Sequence, residues 1–230
     1  MKKHVTLFSS VLMMSTTLLG AGGVFADDTL QETTSVNTTL SIPDVPAPVP
    51  PITDGGDNNE NNQVQGHFGL AYQPKAFSVI DELGQTGQKE ITILPKDASQ
   101  GGAKGSFNVG VKDTRRKNSS WKLTAKLDWS GNNASVMSGT KITATNDGVK
   151  LNNSGTLEGQ KNDEVTGTRA LEINSTNSDV MTATGQKVIN GVYDYQLNDV
   201  KLVIPKQENV AADSYNGTVT WNLQDTPSAK

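Results

Sequence analysis

From residue 67 onward the chain is built of short runs in which apolar and polar residues alternate. A side-chain period of two marks strands with one buried face. Phe107, Val109 and Val111 alternate with Asn108, Gly110 and Lys112, while Trp121, Leu123, Ala125 and Leu127 alternate with Lys122, Thr124, Lys126 and Asp128. Near the C-terminus Tyr215, Gly217, Val219, Trp221 and Leu223 share one face, opposed by Asn216, Thr218, Thr220 and Asn222. Residues 89–94, 141–145, 170–174 and 201–204 are further strand candidates, and Gly, Asn, Asp and Pro punctuate the runs. No amphipathic pattern of three helical turns occurs, although residues 190–198 have room for a short helix. The expected fold is all-β, an antiparallel β-sandwich-like single domain over residues 67–230 with long loops such as 146–168.

The segments in front of that domain have a different character. Lys2, Lys3 and His4 open the chain, an apolar run diluted with Ser and Thr follows, and small residues lead to Ala26. This is the pattern of a secretory signal peptide over residues 1–26, with the mature chain starting at Asp27 and no membrane span in it. Residues 27–66 contain seven acids and no Lys or Arg. Five prolines between 43 and 51 favour extended polyproline II, and residues 54–62 are polar and Gly-containing, so the composition predicts a disordered acidic Thr/Pro/Asn-rich spacer. Asp54, Asp57, Asn58, Asn59 and Glu60 also offer oxygens to calcium, but their order is not that of an EF-hand.

Composition removes several kinds of chemistry. The chain has no Cys, which excludes disulfides, thiolate metal sites and Cys nucleophiles, and His67 is the one imidazole expected in the mature chain. No cofactor and no metal site is expected. The formal net charge of -4 arises in the spacer, leaving 18 basic and 17 acidic residues in 67–230. A nearly neutral domain is free to meet anionic polymers, whereas an exported chain of this balance, without aromatics interleaved among its bases, is a poor nucleic-acid binder.

Two of the three Trp residues occur in the same tripeptide. Trp121-Lys122-Leu123 is one copy, and Trp221-Asn222-Leu223 is the other, preceded by Tyr215-Asn216-Gly217-Thr218-Val219-Thr220 and followed by Gln224-Asp225-Thr226-Pro227. This arrangement, behind a signal peptide and a Thr/Pro/Asp-rich spacer, resembles the WxL domain family of Gram-positive surface proteins. The resemblance implies a non-catalytic domain that attaches to the cell wall by binding peptidoglycan, in company with other cell-surface proteins. Trp121, Leu123, Trp221 and Leu223 would be its motif positions.

The same four residues have two physical readings. Trp and Leu at i and i+2 share a strand face that is also the apolar one, so they are either core or, at a sheet rim, a flat surface for a sugar ring. Lys112, Arg115, Arg116, Lys117, Lys122 and Lys126 crowd around the first unit, with residues 115–119 expected to form a hairpin loop. This patch is either a contact for peptidoglycan carboxylates or teichoic acid phosphates, or a solvated loop. The function expected is a secreted, non-catalytic protein held non-covalently at the wall of a Gram-positive cell surface. The rival is a complex subunit docked on another surface protein, and a secreted glycan hydrolase ranks last.

Overall fold

The computed structural model describes residues 34–43, 46–51, 58–95 and 105–226. The expected signal peptide lies outside the described residues. The chain divides into residues 1–40, of which 34–40 are described and hold no regular secondary structure, and residues 41–230, which hold all the strands.

Those strands are β1 (Asn59–Asn61), β2 (Phe68–Pro74), β3 (Lys89–Thr92), β4 (Phe107–Trp129), β5 (Lys141–Thr145), β6 (Lys150–Asn153), β7 (Thr156–Gly159), β8 (Val165–Gly167), β9 (Ala170–Ile173), β10 (Ser178–Ile204) and β11 (Gly217–Asp225). A four-residue helix, Asn133–Val136, and a 3-10 turn, Gln207–Asn209, complete the described secondary structure. Every strand pair is antiparallel.

Two long strands organise the rest. β4 pairs with β10 along most of its length, and its other edge takes β2 opposite residues 110–113 and β11 opposite residues 121–129. β10 then runs on past β4 to pair with β5 and β3, and β5 carries β9. One core cluster gathers Val109, Val111, Trp121, Leu123, Ala125 and Leu127 of β4 with Ile142 and Ala144 of β5, Leu171 and Ile173 of β9, and Tyr193 and Tyr195 of β10. The architecture is therefore all-β, antiparallel and sandwich-like, as the alternation predicts.

Four local expectations are corrected. Residues 115–119 are no hairpin loop: β4 runs straight through them, with Thr114, Arg115 and Arg116 standing opposite Asn190 alone. Gly185, Gln186 and Lys187 stand opposite Ser119 alone, and Val180 is a further extra residue on β10 between Asp179 and Met181, so both long strands are bulged. Arg116 takes a positive φ of 49° there. Residues 190–198 are strand, and 146–168 hold β6, β7 and β8. Tyr215 lies outside β11, where its hydroxyl donates to the Ala211 carbonyl at 2.9 Å.

One wetter and one buried face holds for residues 121–128, Thr124 excepted, but not for 107–113, where both faces are buried. Tyr72 of β2 lies over Gly110, where a Cβ would run into its ring. Residues composition places in the spacer cover the same face. Asn59–Asn61 is β1, and Asn59 accepts from the Asn108 backbone at 2.8 Å while donating to the Ser106 carbonyl at 3.1 Å. Its side-chain amide is thus committed to holding the sheet. Pro48 and Pro51 are buried, and the Val49 carbonyl accepts from Asn152 at 2.8 Å. An irregular segment, 46–51, thus straps the sheet.

Candidate functional site

Register places the two Trp-x-Leu units side by side. β11 pairs with β4 so that Leu223 faces Leu123, Trp221 faces Ala125, and Asp225 faces Trp121. Directly opposed residues in antiparallel strands point to the same side, so both tryptophans and both leucines lie on the core side of the sheet. Their environments differ. Trp121 is 0% exposed and packs 6.3 Å from the Tyr193 ring, and Leu123 is equally buried. Trp221 and Leu223 are half-buried, because among the described residues β11 has a neighbour on one edge only.

Trp221 opens onto a groove of about 1120 Å³. Phe77, Val79, Trp129 and Tyr215 also line it, with Asp81, Asp213 and Asn216 supplying polar groups. Trp129 packs across Gly217, and its indole N–H donates to Thr140 Oγ1 at 2.7 Å. The groove thus joins broad aromatic surface to a few hydrogen-bonding groups, the mix that suits a ligand with flat apolar faces and polar edges.

The basic residues that crowd the sequence are dispersed by the fold. Lys112 is 0% exposed, its ammonium 3.4 Å from the Pro46 carbonyl, and burial lowers its pKa. Arg115 grips Asp113 through Nε at 2.9 Å and Nη2 at 2.8 Å, and reaches Asp225 through Nη1 at 2.6 Å. Its guanidinium also stacks on Phe68, 3.8 Å from the ring centre. The hydrogen bonds that Arg115 donates to Asp113 first, supported by those to Asp225, hold it above the ordinary guanidinium range. Lys122 pairs with Asp179 at 2.9 Å and Lys126 with Asp128 at 2.8 Å. Arg116 and Lys117 are exposed at the bulge and enter no ion pair among the described residues.

A second polar cluster had no legible signal in the sequence. Tyr72 donates to Asp194 Oδ2 at 2.9 Å, Asn108 donates to both Asp194 oxygens at 3.0 and 3.1 Å, and Asn152 donates to Tyr72 Oη at 2.9 Å. Burial pushes the Asp194 carboxyl up to about 6, against the hydrogen bonds from Tyr72 and Asn108 that favour its charge. These residues come from β2, β4, β6 and β10, so only the register brings them together.

Among the described residues no group of three or more His, Cys, Asp or Glu is placed to hold a metal ion, and no helix is long and apolar enough to cross a membrane. No curated protein and no solved structure matches the chain. The family model described as "WxL domain surface cell wall-binding" matches residues 27–227, nearly the full length and both tryptophan units. The chain belongs to the WxL family of surface, cell wall-binding domains.

Proposed function

We propose that the chain is an exported, non-catalytic surface protein of a Gram-positive cell that holds peptidoglycan non-covalently through the groove beside Trp221. The observation that carries this reading is the asymmetry of the two units: Trp121 is sealed in the core, whereas Trp221 presents part of its ring to a groove that also holds Trp129. A half-exposed indole stacks on a sugar ring at little entropic cost, because surrounding packing already restricts its rotamers. Division of labour follows. Trp121 and Leu123 hold the sheet, and Trp221 meets the glycan. Contact with teichoic acid, if the wall supplies it, falls to Arg116 and Lys117, since Arg115, Lys122 and Lys126 already serve carboxylates of the domain.

The test is co-sedimentation of the chain from Asp27 with protein-free sacculi, with and without teichoic acid, across a salt series. Saturable binding that Trp221→Ala weakens in a folded protein is the expected result. A folded chain that stays in the supernatant when the sacculi are pelleted rejects the wall reading and points to another surface protein as the ligand. Soluble sugar release would reject the non-catalytic one.

A further inference from the structure

The outer edge of β11 distinguishes it from the other terminal strands. Among the described residues β1, β3, β7, β8 and β9 also pair with a single strand, and each is only three or four residues long. Short strands leave little backbone to recruit a stranger, as do edges guarded by Lys or Pro. β11 has nine residues, Gly-Thr-Val-Thr-Trp-Asn-Leu-Gln-Asp, with no Lys or Pro, and no residue of it is buried. Its single charge, Asp225, is bound by Arg115.

The strand also complements itself. Turned about Trp221 and laid antiparallel, Val219 meets Leu223 of a second copy, Thr220 meets Asn222, Thr218 meets Gln224 and Gly217 meets Asp225. No like charges oppose, and the half-buried apolar residues stay on one side. We propose that two copies of this chain associate through antiparallel pairing of their β11 edges about Trp221, continuing one sheet across both molecules. Such a pairing satisfies outward backbone groups, covers part of Val219 and Leu223, and closes as an isologous dimer. The inference rests on the edge alone and holds whatever ligand the groove takes.

Sedimentation of the chain from Asp27 over a concentration series tests it, with circular dichroism as the folding check. The expected result is a concentration-dependent dimer that the double variant Thr220→Glu/Asn222→Glu dissociates by placing Glu against Glu. Mixing that variant with Thr220→Lys/Asn222→Lys should restore a dimer. Because the chain has no Cys, Thr220→Cys/Asn222→Cys gives an independent readout, expected to yield a disulfide-linked dimer on oxidation, since paired strands bring Cα atoms within bridging reach. A wild-type monomer at every concentration overturns the proposal, as does a dimer that survives the Glu variant, or a folded Cys variant that does not cross-link.

Discussion

Leu123 and Leu223 stand directly opposite one another across β4 and β11. The repeated tripeptide is thus one packed unit made from two distant stretches of chain, with the first copy inside and the second at the margin. That difference in burial separates the effects of changing each.

Trp121→Ala should cost about 3–5 kcal/mol, the range for emptying a buried aromatic site, and Trp221→Ala clearly less. Denaturant titration gives both values. Trp121→Phe should be mild for its lost volume, because the Trp121 indole N–H is buried without a hydrogen-bond partner among the described residues and its removal relieves a desolvated donor. A Trp121→Phe loss as large as that of Trp121→Ala would count against this account.

Arg115 is a clamp. Its removal leaves Asp113, 0% exposed, without its bidentate partner, so Arg115→Ala should cost about 3–5 kcal/mol. Asp225→Ala, at the exposed end of the same contact, should cost under about 1 kcal/mol. Equal losses in a thermal or chemical melt would contradict this ranking. Arg116→Glu with Lys117→Glu should leave stability nearly unchanged and lower only the salt-sensitive part of wall binding.

Asp194 makes stability depend on pH. Its folded carboxyl, at about 6, lies above the ordinary value of 3.8, so the folded state binds its proton more tightly than the unfolded chain does. Its contribution to stability is therefore full below about pH 4, declines as pH rises, and is lost above about pH 6. The difference amounts to roughly 2–3 kcal/mol. Subtracting the pH profile of Asp194→Asn from that of the native chain should reveal this step, whose absence would show that the carboxyl is not shifted.

The strap makes the domain start earlier than composition suggests. A chain beginning at residue 67 lacks β1 and residues 46–51, leaving the Asn108 backbone N–H without its Asn59 acceptor and the Asn152 amide without the Val49 carbonyl. It should melt well below a chain beginning at residue 41, each orphaned buried group costing about 1–3 kcal/mol. Equal melting temperatures would show the strap to be dispensable.

The alternation of Trp121 to Leu127 against Lys122 to Asp128 was legible because a strand with one buried face writes its period into the sequence, and the paired Trp-x-Leu tripeptides identified the family. Tyr72, Asn108, Asn152 and Asp194 wrote nothing comparable, since a buried polar residue looks like a surface one until register supplies its partners. The same blindness made Lys112, Arg115 and Lys122 look like one cationic patch. Sequence by itself determined the β character, the motif and its family, all local or repetitive properties of the chain. Tertiary structure decided which tryptophan is sealed, which cations are already matched and where the domain begins, because burial and charge pairing belong to neighbours in space.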